Sequence, residues 1–307
     1  MRSLLILWLF LCTLGGNALA APDKDLPREI VLNGVEFVLV PEGWFWYSVQ
    51  AGRPENIPTG QPLNRDVRVW LDSYYIGKYP ARARDLERFL NSGQARFIDQ
   101  YGGRSNGCAV RADDRGKFYL VEPDKDLSAT QLSWQLADEC ARWMGFRLPS
   151  EAEWEKAARG TDKRHWPWGN DFPDDTYAGF LDNPICKPSA VDAFPKGRSP
   201  YGAYNMAGNV WEFVADWFNA DFDAALKDGA RNPALAKAGT THPDVWNPVK
   251  ILKGGRWASD PGSITVHSRN FNEPHEFFLC FGTRFAVDLA TARSQLAIGR
   301  AKIVASR

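Results

Sequence analysis

The chain has 307 residues, and its 37 Lys and Arg balance 37 Asp and Glu, so it lacks the basic excess by which a nucleic-acid binder is recognised. Hydrophobic residues make up 44% and charged residues 24%, which allows a sizeable core and excludes an intrinsically disordered chain. With 26 Gly, 20 Pro, 13 Trp and 18 Phe, a loop-rich body with an aromatic interior and few long helices is expected.

Residues 1–20 read as a secretory leader. Arg2 supplies the positive start, Leu4 to Leu14 a short apolar run, and Ala18-Leu19-Ala20 a small-residue cleavage site before Ala21. The run is shorter than the ~20 apolar residues of a membrane-spanning helix, and no second run of that length follows, so the mature chain is expected to be exported, with no integral membrane segment. Cys12, between Phe10-Leu11 and Thr13, fits a lipoprotein signal poorly. Cleavage removes one Arg and one Cys and leaves four cysteines, Cys108, Cys140, Cys186 and Cys280. An even number in an oxidising compartment points to two disulfides with three possible pairings, against the alternative of buried thiols.

Residues 26–49 alternate in the manner of strands, with EIVLNGVEFVLV followed after Pro41-Glu42-Gly43 by the aromatic WFWYSV. VRVWLDSYYIGKY (67–79) is a further strand. A short helix is predicted near Ala83–Leu90, with Leu86, Phe89 and Leu90 on one face. Residues 91–130 are polar and Gly-rich, with one strand at KFYLV. Ser133 to Met144 carries Leu136, Ala137, Cys140, Ala141 and Met144 at helical spacing, and Ser150-Glu151-Ala152-Glu153 is a capping box opening a helix that ends at Gly160. Beyond it the chain reads mostly as turns until RWASD and the final FGTRFAVD, with a long excursion over 219–249. One domain is expected over 21–288. The last 19 residues, 289–307, carry four basic groups and no acid and read as a solvated tail or an interaction arm.

Four segments in order are specific: LSWQLADECARWMGFRLPSEAEWEKAARGT (132–161), HWPWGN (165–170), VDAFPKGRSPYGAYNMAGNVWEFVADWF (191–218), and ILKGGRWASD followed by FGTRFAVD (251–288). Together they resemble the formylglycine-generating-enzyme (sulfatase-modifying factor) family over roughly residues 30–288. The resemblance implies an α+β, irregular, loop-rich, C-type-lectin-like (sulfatase-modifying-factor) fold. Read by themselves, the residues of these segments are mostly architectural. Trp154, Ala157 and Ala158 would face the core, Arg147, Glu153 and Arg159 would form paired charges, and Trp166 and Trp168 would pack around Pro167.

Asn205 and Glu212 flank a Gly-containing turn, an arrangement that can close a shell of oxygens around a hard cation, or form a metal-free turn held by hydrogen bonds. The resemblance implies calcium at the Asn205 side chain, the Gly208 and Val210 carbonyls and the Glu212 carboxylate. The catalytic stretch of the family holds copper between two cysteines, since soft thiolates select Cu(I). At those positions this chain has Ser259 and Ile264, with Arg256 at a nearby serine, so no copper and no formylglycine generation by that chemistry are expected. For a facial iron triad the only candidates close in sequence are His267 and His275, with Asp260, Glu273 or Glu276. From the family the expected disulfide is Cys140–Cys280, leaving Cys108–Cys186.

The resulting expectation is a periplasmic binding or regulatory protein without formylglycine-generating activity. Within the family it looks most like the exported accessory proteins of bacterial type VI secretion that act upstream of a membrane Ser/Thr kinase. A periplasmic protein partner, a kinase ectodomain or a secretion-system component, would enter a cleft lined by Arg256, Trp257, Ser259 and Asp260. The alternatives are a periplasmic metal-dependent oxidoreductase of the siderophore-maturation branch and a carbohydrate-binding lectin.

Overall fold

The computed structural model describes residues 26–49, 65–101, 108–181, 187–237 and 247–304. The leader over 1–20 and Cys186 lie outside the described residues.

In chain order the strands are β1 (Glu29–Leu32), β2 (Val35–Val40), β3 (Gly43–Val49), β4 (Arg65–Leu71), β5 (Tyr74–Gly77), β6 (Val110–Ala112), β7 (Phe118–Leu120), β8 (Trp211–Trp217), β9 (Lys250–Lys253), β10 (Arg269–Asn272), β11 (Phe281–Thr283), β12 (Ala286–Asp288) and β13 (Ala301–Ile303). The helices are α1 (Ala83–Asn91), α2 (Trp134–Trp143), α3 (Glu151–Arg159), α4 (Ala220–Ala225) and α5 (Leu289–Ala297). Short helices, many strands and long irregular connections give the expected α+β, loop-rich architecture.

A five-stranded sheet in the order β12-β5-β2-β1-β13 divides the interior. Successive strand side chains point to opposite faces, so Phe37 and Tyr75 enter one apolar cluster with α1 and α2 while Val38 and Tyr74 enter a second with β3, β4 and α3. β1 and β2 join through Asn33-Gly34, both at positive φ (50° and 85°), the backbone a two-residue hairpin requires. Ser133 caps α2 by accepting from Leu136 N at 3.1 Å. Ser150 and Glu153 form the reciprocal capping box of α3, which ends at Gly160 with φ 80°.

The second sheet, β10-β9-β8-β11, carries the features that shape the cleft. β8 pairs in parallel with β11 and antiparallel with β9, and β9 antiparallel with β10. Neither β8 nor β9 was expected, because the chain from 161 to RWASD at 256 read mostly as turns. β8 alternates, but Glu212 and Asp216 sit on one of its faces and both are buried, so the polar positions that ordinarily mark a solvent face are turned inward.

Two further expectations are corrected. Residues 67–79 form two strands in different sheets, because the chain breaks at Asp72-Ser73, where the Ser73 hydroxyl accepts from Glu42 N at 2.8 Å. The tail over 289–307 is not a free arm in its described part. α5 buries Ala292, and β13 completes the large sheet by pairing Ile30 with Ile303 and Leu32 with Ala301. β1 would otherwise be an unpaired edge.

Candidate binding cleft

Two turns build the cleft floor. After β9 the chain bends through Gly254 and Gly255 at φ 93° and 81°; a Cβ on Gly255 would stand 2.6 Å from Ile264 Cγ2. The turn over 205–209, also partly left-handed at Asn205, Gly208 and Asn209, is stitched to it by Gly208 N donating to Gly254 O at 2.7 Å and Trp257 N donating to Asn209 O at 3.0 Å. The chain then closes on itself. Arg256 N donates to Ser259 Oγ at 3.1 Å, and Asp260 Oδ1 accepts from Gly262 N and Ser263 N at 2.9 and 3.1 Å, capping a 3₁₀ turn over Pro261–Ile264.

A cavity of about 510 Å³ opens on this floor. Arg256, Ser259 and Asp260 line it, together with Trp211, Asn270, Phe271, Asn272, Phe278, Cys280 and Phe281, which the sequence does not single out for the cleft. Trp257 is corrected: it is 2% exposed and packs with Val210, Trp211, Leu252 and Phe281 behind the wall. Ser259 is nearly buried and Ile264 fully so, Ile264 in an apolar cluster with Ala178 and Ala207. An isoleucine side chain therefore fills the position at which the resemblance implied a second cysteine.

A dense charge network lies behind the cleft. Arg269 of β10 donates to both carboxylate oxygens of Glu151, to Asp223 and to Tyr47 Oη. Lys253 Nζ meets Glu155 at 3.2 Å and Glu151 at 3.4 Å. Burial alone would push the Glu151 carboxyl up, but Arg269 and Lys253 hold it at about 2. This cluster fixes α3 against β9 and β10. Arg147 makes a two-pronged pair with Glu153 at 2.7 Å on both prongs, and Arg159 meets Asp66 at 3.4 Å and Glu155 at 3.5 Å, the architectural use expected of these residues.

The positions expected to bind calcium divide. Asn205 Oδ1 is buried without a hydrogen-bond partner, as an ion ligand would be, while its Nδ2 donates to Val191 O at 2.7 Å. Glu212 has both oxygens engaged: Arg284 donates to Oε2 and Oε1 at 2.6 and 2.7 Å, and Trp154 Nε1 donates to Oε2 at 2.6 Å. The only carboxylate of the set is thus already neutralised, and a divalent ion held by Asn205 and the carbonyls of Gly208 and Val210 would bring an uncompensated buried charge. The residues as placed do not fit calcium.

The candidate iron ligands are not brought together. His267 packs edge-on to His165 at 6.0 Å between ring centroids, and burial, then Arg159 and Lys253, push its pKa down to about 3. His275 is exposed and faces Glu273 at 3.4 Å and Glu276 at 3.7 Å. Among the described residues no group of three His, Cys, Asp or Glu is arranged to hold a metal. The expected Cys140–Cys280 bridge is also corrected. Cys140 is a buried free thiol within the cluster of α1 and α2, whereas Cys280 lies at the cleft. The Cys108–Cys186 pairing involves a residue outside the described ones.

Residues 23–289 match the model of the sulfatase-modifying factor enzyme 1-like domain. The chain is 28% identical over 293 residues to the hercynine oxygenase of Mycobacterium tuberculosis, covering 89% of this chain and 66% of that protein. It is 26% identical over 272 residues to the serine/threonine-protein kinase pkn1 of Chlamydia pneumoniae, covering 88% of this chain and 40% of that protein. The chain therefore spans less than two thirds of the length of these relatives. Among solved structures, PvdO from Pseudomonas aeruginosa superposes with a TM-score of 0.62 at 22% identity, covering 86% of this chain and 99% of that one, a likeness of fold.

Proposed function

Because the chain belongs to the sulfatase-modifying factor enzyme 1-like family, we propose that it is an exported binding and regulatory protein that uses the family's cleft to hold a protein partner. One observation carries this reading. The cleft persists at about 510 Å³, while its floor presents Ser259 and buries Ile264 where the family's catalytic cysteines would stand. A hydroxyl and an aliphatic side chain give a soft redox metal no ligand. The partner proposed is the periplasmic ectodomain of a membrane Ser/Thr kinase or a component of the type VI secretion pathway it controls. Similarity to proteins named as Ser/Thr kinases, of which this chain covers 38–40%, supports the pairing. Export rests on the leader.

A second reading, a metal-dependent oxidoreductase, draws on the relatives named hercynine oxygenase. It would have to find its donors elsewhere than at His267 and His275, which face different neighbours. Calcium has no part in the proposal, since Glu212 is committed to Arg284.

Two measurements on the purified mature chain test the reading. It should capture the kinase ectodomain, and Arg256→Glu combined with Phe278→Ala should abolish capture; both residues line the cleft, and Phe278 is 52% exposed, so the fold tolerates both. Oxygen uptake with a thiol peptide should stay at background. Undiminished capture by the double variant, or stoichiometric iron or copper with turnover under air, would sink it.

A further inference from the structure

The cleft holds an imbalance between donors and acceptors. Arg256 brings a guanidinium whose Nη1 approaches Cys280 Sγ at 3.8 Å, and no carboxylate among the described residues pairs with it. Asn272 Nδ2 is buried without a hydrogen-bond partner. Ser259 spends its lone pair on Arg256 N and keeps its proton to donate. Two acceptors along the same wall, Asp260 and Asn270, are engaged. Asp260 Oδ1 receives Gly262 N and Ser263 N, Asp260 Oδ2 receives the Ser263 hydroxyl at 2.8 Å, and Asn270 Oδ1 receives Phe271 N at 2.8 Å. A ligand that meets Arg256, Asn272 Nδ2 and the Ser259 hydroxyl offers acceptors, and one that carries negative charge gives Arg256 the carboxylate it lacks. A planar guanidinium fork matches a carboxylate with two parallel hydrogen bonds.

The remaining wall is aromatic. Trp211, Phe271, Phe278 and Phe281 surround the same space. Phe271 is held by stacking on Phe218 at 5.0 Å and Phe278 by contact with Phe281 at 5.1 Å. Such rings offer a large apolar area with little rotamer freedom to lose. The cavity, at about 510 Å³, falls within the ~300–1,000 Å³ of small-ligand sites, enough for the terminal residue of a chain.

On the reading of this cleft as the partner site, we infer that it recognises the C-terminal residue of a polypeptide, its α-carboxylate on Arg256 and its aromatic or large apolar side chain against Phe271, Phe278 and Phe281. A chain end carries both groups on one Cα, which suits a cavity where guanidinium and rings converge. An internal Asp or Glu would require the chain to enter and leave.

Calorimetric titration of the mature chain with acetyl-Ala-Ala-Phe as the free acid, with its C-terminal amide and with acetyl-Phe tests the inference. The acid should bind about tenfold or more tighter than the amide, the scale of one charge-assisted pair, and tighter than acetyl-Phe. Arg256→Gln should erase the preference for acid over amide while leaving the thermal midpoint unchanged, and Phe278→Ala should weaken acid and amide alike. Equal binding of acid and amide, absence of binding, a preference surviving Arg256→Gln, or acetyl-Phe binding as tightly as the tripeptide would overturn it. If the preference fails but the Arg256→Glu, Phe278→Ala variant still loses the kinase ectodomain, the chain-end inference alone falls. If the preference holds while that variant keeps the ectodomain, the protein-partner reading falls instead.

Discussion

Glu212 and Arg284 meet as a two-pronged ion pair with no exposed surface on either side chain. Arg284 also donates to Gly77 O at 2.9 Å and Tyr204 O at 2.8 Å, so one guanidinium ties β8 to the end of β5 and to the turn over 205–209. Breaking a buried pair from one side strands a charge and costs ~3–5 kcal/mol, whereas replacing both partners with apolar groups costs far less. Glu212→Gln and Arg284→Met should each lower the free energy of unfolding in urea by about that amount. The double variant Glu212→Leu, Arg284→Met should lose less than the sum of the single losses. Additive losses would mean that the two residues act independently.

The same pair sets the response to calcium. A ligand that binds only the folded state raises stability as it fills its site, but here the one carboxylate of the expected ligand set, Glu212, is spent on Arg284 and Trp154. Thermal midpoints of the mature chain with excess EGTA and with millimolar CaCl₂ should therefore agree to within about 1 °C. A clear rise with calcium that Asn205→Ala removes would show that Arg284 yields its place to the ion.

The elements that were legible in the sequence are those whose signals are local. The capping box at Ser150 and Glu153 and the helical spacing of Leu136, Ala137, Cys140 and Ala141 each require only neighbouring residues to take effect. β8 was hidden because Glu212 and Asp216 are neutralised by partners far along the chain, Arg284 and the N–H groups of Leu235 and Glu151. The folding of 289–303 depends on β1 needing a neighbour, which no local pattern records. At the cleft, Arg256, Trp257, Ser259 and Asp260 were proposed from the family resemblance of the stretch after Gly254-Gly255, and of these the Trp257 ring packs inward, behind the cavity wall. Asn270 and Asn272 were missed because a four-residue strand, half-buried throughout, shows no pattern.

Cys140 gives a chemical check on the packing of α2. Its thiol is buried beneath α1, and burial, then the charge of Asp85, push its pKa up well beyond the usual thiol range. Thiolate is the reactive form, so Cys140 should resist alkylation in the native protein and label only after denaturation, with no reductant needed. Peptide mapping under non-reducing conditions that found Cys140 in a disulfide would contradict the arrangement.

Asp216 makes the stability of the fold sensitive to mildly acid pH. Its side chain is buried, with Oδ1 accepting from Leu235 N at 2.6 Å and Oδ2 from Glu151 N at 2.8 Å, so it fastens the segment after α4 to the first residue of α3. Burial pushes its carboxyl up to about 6, against the pull of those two N–H groups. The folded state therefore keeps this proton at pH values where the unfolded chain, near 3.8, has released it. The stabilisation is fully present below about pH 4 and is lost as pH rises through about 6, amounting to up to ~3 kcal/mol. Glu151 works in the opposite sense: it is held at about 2 instead of 4.5, so its contribution is present above 4.5 and lost as pH falls towards 2. Between pH 4.5 and 6.5 Asp216 is opposed by His267, whose pKa of about 3 in place of 6.5 makes its contribution grow as pH rises. The part that belongs to Asp216 is therefore read against a variant that keeps His267. Asp216→Asn retains an oxygen to accept one of the two N–H groups and removes the titration. The urea midpoint of the parent should fall relative to that of the variant as pH is raised across this interval, and parallel pH profiles would mean that Asp216 titrates alike in the folded and unfolded chains.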